Sequence, residues 1–255
     1  MAYLIAGETV TAAWRSAAEY LHAHGRETFD LVVEIADPDV AHADRASVAT
    51  LNTLLHRKGF GSVETVANTI FPDQLARTAR DRADLYARYQ ALYPRLRHFS
   101  QKGTYFGRLI AYPLQGDPAR ENQLETVIGD LARQLARRGP LGSIYEAQIF
   151  APGKDRIPMG FPCMSSLSFQ LDGPQLRLTA TYRNQYYIRR ALGNFIGLAQ
   201  LQRFVADAVG LRQGPLTIHA FHAAIDPEIG VRETDALIQA IQVGVQGRTM
   251  DGCVA

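Results

Sequence analysis

Apolar side chains recur every three or four residues along several stretches of the chain, the spacing that places them on one face of an α-helix. The clearest stretches span residues 10–24, 124–135, 194–209 and 233–243. Residues 46–96 are also mostly helical in pattern, with breaks near residues 59–61 and at Phe71-Pro72, because proline disfavours helix in the residue before it. We therefore predict two or three helices between residues 46 and 96.

Other stretches are short, rich in β-branched and aromatic residues, and partly alternating in polarity, as strands are. These patterns predict strands over residues 29–35, 145–150, 165–171, 176–182 and 216–224. Asp172-Gly173-Pro174 is a turn sequence. The strands on either side of it are therefore expected to form a hairpin.

Composition and charge limit the classes of function. The 255 residues are 47% hydrophobic and 20% charged, and no low-complexity block or linker divides them, which predicts a single domain over residues 1–255. The net charge of +2 comes from scattered charges, without the basic stripe that binds nucleic-acid polymers. The sequence contains neither a run of eighteen apolar residues nor a signal-peptide pattern at its start, so we expect no membrane span.

Cys163 is the first candidate for chemistry. The chain has two cysteines, Cys163 and Cys253, a poor basis for a disulfide framework, so we expect a reducing cytoplasm. Cys163 follows Phe161-Pro162 and precedes an apolar strand, a junction where a side chain is both held and reachable. A thiolate nucleophile needs an electropositive setting, and Arg183 is the candidate cation. The alternative is that Cys163 is a small buried hydrophobic residue.

The order of motifs around Cys163 resembles the core of thymidylate synthases. In that family Pro-Cys is followed by a strand, a turn, a second strand ending in Leu-Tyr-Gln-Arg-Ser, and Pro-Phe-Asn at the start of a buried helix. Here Pro162-Cys163 is followed by the predicted hairpin, by Tyr182-Arg183-Asn184 and by Gly193-Asn194. Residues 102–108, 122–124 and 219–222 are similar, in the same order, to the family segments Gly-x-Val-Tyr-Gly-x-Gln-Trp-Arg, Asp-Gln-Ile and Gly-Asp-x-His-x-Tyr.

This resemblance implies an α+β fold in which helices flank a large mixed β-sheet. It also implies a homodimer in which the sheets of two subunits pack together, because active sites of the family take residues from both subunits. Residues 252–255 would close over the site as the family's C-terminal tail does. The alternative is a frayed tail.

The resemblance implies roles for individual residues. Cys163 would attack C6 of a pyrimidine nucleoside monophosphate, so that C5 can accept a methylene group from 5,10-methylenetetrahydrofolate. Arg183 resembles the arginine that binds the substrate phosphate, with a strand-end surface arginine as the alternative, and Asn184 beside it is assigned to substrate binding. Asn194 resembles the asparagine that contacts the O4 and N3 edge of the base, with a helix N-cap as the alternative.

Four more positions follow from the same resemblance. His222 corresponds to the histidine that orders water and sugar contacts, although a core histidine fits equally well. Glu64 corresponds to the glutamate that relays protons through water to the base, whereas a lone glutamate exposed on its helix is the alternative. Tyr186 and Gly193 fall at positions assigned to contact with the reduced folate. No metal site is expected.

The chain departs from the family in its phosphate site. The family has an adjacent arginine pair that reaches into the partner subunit, and this pair falls near Ser143-Ile144, which are not basic. Arg137-Arg138, earlier in the chain, are the candidate replacements, with a solvated helix end as the alternative. The family's glycine-rich phosphate loop is reduced to residues 25–29, which leaves Arg26 as its basic candidate.

Three other departures concern specificity. The family's pterin-contacting aspartate falls at Tyr186, its sugar-contacting tyrosine at Ala224, and the histidine after the nucleophile at Met164. The chain therefore resembles most closely the pyrimidine nucleotide (CMP or dCMP) 5-hydroxymethylases, in which water quenches the methylene intermediate, and the missing sugar tyrosine favours CMP. Reductive C5 methylation is one alternative, and a non-catalytic or folate-independent nucleotide-binding relative is another.

Overall fold

Helices and strands follow one another in mixed order along the chain. The computed structural model describes residues 2–99, 103–113, 120–155 and 162–251. The elements up to residue 135 are β1 (Tyr3–Gly7), α1 (Val10–Ala23), β2 (Glu27–Ile35), α2 (Arg45–Arg57), α3 (Val63–Ile70), α4 (Asp73–Thr78), α5 (Arg82–Phe99), α6 (Tyr105–Ile110), β3 (Tyr112–Pro113), β4 (Arg120–Glu121) and α7 (Gln123–Leu135). Those that follow are β5 (Tyr145–Gln148), β6 (Met164–Asp172), β7 (Gln175–Tyr182), β8 (Gln185–Tyr186), a π-helical turn (Tyr187–Ala191), α8 (Leu192–Ala208), β9 (Arg212–Ala224) and α9 (Val231–Asp251).

The predicted helices and strands are confirmed, with two kinds of difference. Residues 46–96 contain four helices rather than two or three, because the chain also leaves the helical conformation at residues 79–81, between α4 and α5. The elements that were not predicted are β1, α6, β3, β4, β8 and the π-helical turn. Among the described helices, none is both long enough and apolar enough to cross a bilayer.

The sheet that organises the molecule has seven strands in the order β1-β2-β9-β7-β6-β5, with β8 also paired to β9. β9 runs antiparallel to β2 and parallel to both β7 and β8. β5, β6 and β7 form an antiparallel meander. This mixed sheet, together with the surrounding helices, confirms the predicted α+β class.

The two faces of the sheet differ in burial. Along β7 and β9 every second residue is fully buried, as at Leu178, Ala180 and Ile218, against a core that includes Trp14 of α1 and Phe195 of α8. The residues between them are half-buried, because strand side chains alternate between faces. The helices therefore cover one face of the sheet, and the other remains partly exposed.

Two glycines of α8 allow α3 to pack against it at close range. A Cβ on Gly193 would lie 2.6 Å from the Cβ of Val66, and one on Gly197 would lie 2.7 Å from the carbonyl oxygen of Ala67. Both distances are shorter than real carbon contacts allow. The position of α3 therefore depends on the absence of side chains at these two places.

We predict that Gly197→Ala lowers the free energy of unfolding by about 1–3 kcal/mol, because the added methyl group pushes α3 away from α8. Urea unfolding followed by circular dichroism measures the change. Gly129→Ala in α7 is the matched control, since a Cβ there meets only the Arg133 guanidinium at 3.9 Å. That variant is expected to be neutral or slightly more stable. Equal destabilisation of both variants would contradict the packing argument.

Candidate functional site

Cys163 and Arg183 lie side by side where two neighbouring strands meet. β6 begins at Met164, which pairs with Tyr182 at the end of antiparallel β7. The backbone N–H of Arg183 donates a 2.9 Å hydrogen bond to the carbonyl oxygen of Cys163. The Arg183 Nε donates to the carbonyl oxygen of Pro162 at 3.2 Å. A half-buried thiol and a half-buried guanidinium are thus held together by backbone contacts.

Tyr105 of α6 approaches the thiol from the helical side. The Thr104 side chain caps α6 by accepting a 3.1 Å hydrogen bond from the N–H of Gly107. Burial raises the pKa of Tyr105 to about 12, the nearby Cys163 thiol adds to the rise, and backbone hydrogen bonds from Met164 and Cys163 oppose it. Tyr105 was not predicted to have a role in the site. The sequence feature that could have identified it is its place in the segment similar to the family's Val-Tyr-Gly.

A buried ion pair fixes α6 to the loop after β5. The Arg108 guanidinium donates to both carboxylate oxygens of Asp155, at 2.5 and 2.9 Å, and to the carbonyl oxygen of Ile149. Asp155 also accepts a hydrogen bond from the N–H of Ala151. Burial raises the pKa of the Asp155 carboxyl, but the hydrogen bonds from Arg108 and Ala151 outweigh it and hold that pKa below its ordinary value. The helix that carries Tyr105 is thereby anchored.

His222 and Asn184 form a second polar group beside the thiol. The Nδ1 of His222 lies 2.6 Å from the Oδ1 of Asn184, and its Nε2 lies 3.2 Å from a carboxylate oxygen of Glu27. Asn184 directly follows Arg183, so the strand end that positions the guanidinium also positions this contact. The predicted core histidine is not what the structure contains, because the His222 side chain is 30% exposed.

Asn194 is the buried amide of the site. It is 4% exposed and lies at the third position of α8, directly after the π-helical turn. The alternative interpretation as an N-cap is wrong, because α8 begins without a side-chain cap. Within the described ranges no hydrogen bond is made by the Asn194 side chain. Gly193 next to it faces α3, so its predicted contact with the folate remains a prediction.

Three other buried side chains, close to Asn194 in sequence, have polar atoms without hydrogen-bond partners among the described residues. The hydroxyl groups of Tyr182 and Tyr187 and both amide atoms of Gln185 make no hydrogen bond within the described part of the chain. Tyr182 and Tyr187 are 0% exposed, and Gln185 is 2% exposed. Sequence reasoning missed these residues. A tyrosine at an alternating core position of a strand gives no signal that its hydroxyl is unpartnered.

Glu64 lines a cleft and is held by a neighbouring amide. Both of its carboxylate oxygens accept hydrogen bonds from the Asn52 amide, at 3.0 and 3.2 Å. It lines a cleft of about 950 Å³ between α2, α3, α4 and α8. Cys163, Arg183 and Asn194 do not line this cleft. The proton-relay role of Glu64 remains a prediction.

Arg26 and Tyr186 each contact other parts of the chain. Arg26 has a φ of 71° and donates from its guanidinium to the carbonyl oxygen of Ile229 at 2.6 Å and to the hydroxyl of Thr234. The Arg189 guanidinium lies 5.7 Å from the centre of the half-buried Tyr186 ring. A phosphate contact of Arg26 and a folate contact of Tyr186 remain predictions.

The other predicted phosphate residues lie on an exposed segment between α7 and β5. Arg137 and Arg138 follow the end of α7, and Ser143 precedes Tyr145 at the start of β5. The Arg137, Arg138 and Ser143 side chains are all exposed. They are accessible to a substrate or to a partner subunit. No cluster of three or more His, Cys, Asp or Glu side chains suited to a metal ion occurs among the residues with described positions.

Comparison with known proteins gives one partial similarity. No protein-family model matches the chain. A protein of Methanothermobacter thermautotrophicus named "Putative thymidylate synthase" is 32% identical over 88 residues. The match covers 34% of this chain and only 39% of the relative's length. This similarity supports the resemblance to the thymidylate synthase superfamily, and it does not distinguish hydroxymethylation from methylation.

We predict that Asp155→Asn lowers the free energy of unfolding at pH 7 by about 3 kcal/mol, because it removes the carboxylate charge that pairs with the buried Arg108. The folded pKa of Asp155 is depressed, so its stabilising contribution is present above the unfolded pKa and is lost as the pH falls through the folded pKa. The difference from wild type should therefore persist from pH 7 to pH 5 and shrink below about pH 4. Urea unfolding at each pH measures it.

Asp130→Asn is the matched control, because Asp130 pairs with an Arg133 side chain that is 75% exposed. Exposed pairs contribute at most about 1 kcal/mol, so this variant should unfold almost as wild type does. A difference for Asp155→Asn that does not change with pH would show that the charge of Asp155 is not its stabilising property.

Proposed function

We propose that the chain transfers a one-carbon unit from 5,10-methylenetetrahydrofolate to C5 of a pyrimidine nucleoside monophosphate, with Cys163 as the nucleophile. The observation that carries the proposal is the hydrogen bond from the Arg183 N–H to the Cys163 carbonyl oxygen. It holds Cys163 beside Arg183, the two residues whose thiol and guanidinium would attack the ring and bind the phosphate of the same molecule. The partial similarity to a putative thymidylate synthase supports this reading.

Cys163 acts by covalent catalysis. Its thiolate forms a bond to C6 of the pyrimidine, and the electron pair of the C5–C6 double bond becomes available for bond formation at C5. After the one-carbon unit is attached, C5 loses its proton, tetrahydrofolate is the leaving group, and water adds to the exocyclic carbon when the product is hydroxymethylated. The S–C6 bond then breaks, which restores the thiolate. Arg183 binds the dianionic phosphate, because a guanidinium donates two parallel hydrogen bonds to such an oxyanion.

Asn194 is proposed to bind the edge of the base. Asn194 is only 4% exposed, and its amide makes no hydrogen bond within the described residues, so it is open to pairing with a ligand. An asparagine amide offers one acceptor and two donors, so it can pair with the N3 and C4 substituents of either uracil or cytosine. The substrate would therefore supply the hydrogen-bond partners that the described residues do not provide to Asn194.

The surroundings of Tyr186 fit a flat cofactor ring. Tyr186 is half-buried at the end of β8, and its ring is an available stacking surface beside the Arg189 guanidinium. Aromatic rings stack favourably on one another in an offset arrangement. A bound reduced folate would supply a methylene group at the oxidation level of formaldehyde.

We further propose that the product is a 5-hydroxymethyl nucleotide and that CMP is the preferred substrate. Ala224 lies where the resemblance places a sugar-contacting tyrosine, and it pairs with Glu27 on β2 and with Tyr186 on β8. A methyl side chain there leaves room for a ribose 2′-hydroxyl. Reductive methylation is the second candidate, and the name of the partially similar relative favours it.

The test is incubation of the full chain with 5,10-methylenetetrahydrofolate and CMP, dCMP or UMP, followed by mass spectrometry of the nucleotide. We expect CMP to gain one hydroxymethyl group without formation of dihydrofolate. Cys163→Ala should lower the rate by several orders of magnitude, as loss of a covalent nucleophile does. Asp130→Asn on α7, whose partner Arg133 is 75% exposed, is the control and should retain activity.

Each other outcome has a defined meaning. A product heavier by a methyl group, with dihydrofolate formed, would replace hydroxymethylation by reductive methylation. Absence of tritium release from C5-labelled CMP, dCMP and UMP, together with measurable nucleotide binding, would leave a non-catalytic nucleotide-binding protein. Equal activity of wild type and Cys163→Ala would overturn the proposed nucleophile.

We also propose a homodimer formed through the partly exposed face of the sheet. Phe221 on this face of β9 is 44% exposed, and its ring contacts His219 edge-on at 4.7 Å. Thr181 and Ser166 continue the same face onto β7 and β6 with a mutual hydrogen bond of 2.7 Å. A second subunit could cover this surface and bring its exposed Arg137 and Arg138 towards the phosphate site.

We predict that the wild-type chain elutes as a dimer in gel filtration with light scattering and that Phe221→Asp elutes as a monomer, because a buried unpaired carboxylate opposes association. Val243→Asp on α9 is the matched control, since Val243 is 69% exposed and lies away from the sheet. Monomeric wild type at tens of micromolar, or a dimeric Phe221→Asp, would contradict this interface.

A further inference from the structure

A cluster of buried phenol groups lies beneath the candidate nucleophile. Tyr182 pairs across the strands with Met164, the residue after Cys163. Its side chain belongs to the buried, helix-covered set of β7. The Tyr182 phenol interacts electrostatically with Tyr105, with the Cys163 thiol and with Tyr187. These three tyrosines and the thiol therefore share one small interior region.

Tyr187 is held at the back of this region by its main chain and its ring. Its carbonyl oxygen accepts a 2.7 Å hydrogen bond from the indole of Trp14. Its ring packs edge-on against Phe195 with the ring centres 6.3 Å apart. Neither contact involves the hydroxyl, which makes no hydrogen bond among the described residues. These contacts fix the orientation of the Tyr187 ring, and its hydroxyl remains able to bind a further group.

The hydroxyls of this cluster remain protonated at any working pH. Burial raises the pKa of Tyr182 well above its ordinary value, and it also raises the pKa of Tyr187. A protonated phenol can donate a hydrogen bond, and a thiolate accepts one. The cluster therefore offers donors to the charged form of Cys163 rather than to its neutral form.

Two fully buried hydroxyls without partners would destabilise an ordinary core. Phenylalanine would fill almost the same space at either position without leaving a polar atom unpaired. A buried water molecule needs two to four polar partners. The Tyr182 and Tyr187 hydroxyls, which have no partner among the described residues, could provide two of them, with the Cys163 sulfur as a third.

We propose that Tyr182, supported by Tyr187, is a positioning residue that holds a buried water against Cys163 and stabilises its thiolate. The inference rests on the proposed role of Cys163 as a nucleophile and adds to it. The guanidinium of Arg183 acts on the thiolate by charge from the strand end, and the tyrosines act by hydrogen bonding from the core. When the thiol ionises, its proton passes to water and then to bulk solvent.

The test measures the reactivity of Cys163 in the full chain without nucleotide or folate. Cys163 is alkylated with iodoacetamide over a range of pH, and the modified peptide is quantified by mass spectrometry. We expect Tyr182→Phe to move the midpoint of the rate profile to higher pH by about one unit, which is roughly a tenfold lower rate below the midpoint. Tyr187→Phe should move it in the same direction by less.

Tyr145→Phe is the matched control. Tyr145 is 1% exposed and belongs to the same sheet, but it lies on β5 and its hydroxyl donates to the carbonyl oxygen of Leu141. This variant should keep the wild-type midpoint. Circular dichroism establishes that each variant is folded, and if Tyr182→Phe is unfolded, Tyr187→Phe decides the question alone.

An unchanged midpoint in folded Tyr182→Phe would overturn the proposal. An equal shift in Tyr145→Phe would also overturn it, because the effect would then be general to the sheet. A shift in Tyr182→Phe without any in Tyr187→Phe would overturn the supporting role of Tyr187. Because no substrate is present, a shift in a protein that fails to modify any nucleotide would keep this inference and reject only the proposed reaction.

Discussion

The register between β6 and β7 is the constraint on which the candidate site depends. These strands are antiparallel and joined by a tight turn at Gly173, so the residue before one and the residue after the other must meet. The hydrogen bond from the Arg183 N–H to the Cys163 carbonyl oxygen is the last rung of that ladder. A slip of one residue would turn every side chain to the opposite face and separate the thiol from the guanidinium.

The polar groups of the molecule fall into two classes, and the contrast indicates where a ligand is needed. Arg108 and Asp155 are buried and fully engaged with each other and with the backbone, so they stabilise the scaffold. Tyr182, Tyr187 and Gln185 are even more buried, but their polar side-chain atoms have no protein partner in the described ranges. Each unpaired buried polar group lowers the free energy of unfolding by about 1–3 kcal/mol. Several such groups in one region therefore indicate a function other than stabilising the fold.

Local features of the fold could be predicted from the sequence, and long-range ones could not. The amphipathic pattern gave α1, α7 and α8, and the turn residues gave the hairpin that brings Cys163 to Arg183, because both signals lie within short stretches. β1 was missed because five residues carry little periodicity. Glu64 was expected near the thiol, yet its direction depends on Asn52, a partner on another helix that sequence pattern does not reveal.

The central position of β9 has a consequence for how the chain folds. β2 ends at residue 35, and its second edge is completed only by β9, which begins at residue 212. During synthesis, the edge of β2 that pairs with β9 therefore stays unpaired until β9 has been synthesised. Strands that are far apart in sequence pair slowly, and an unpaired strand edge can associate with other chains in the meantime. Sheet completion is therefore a late event, and expression at lower temperature or with chaperones should favour the native state over aggregates.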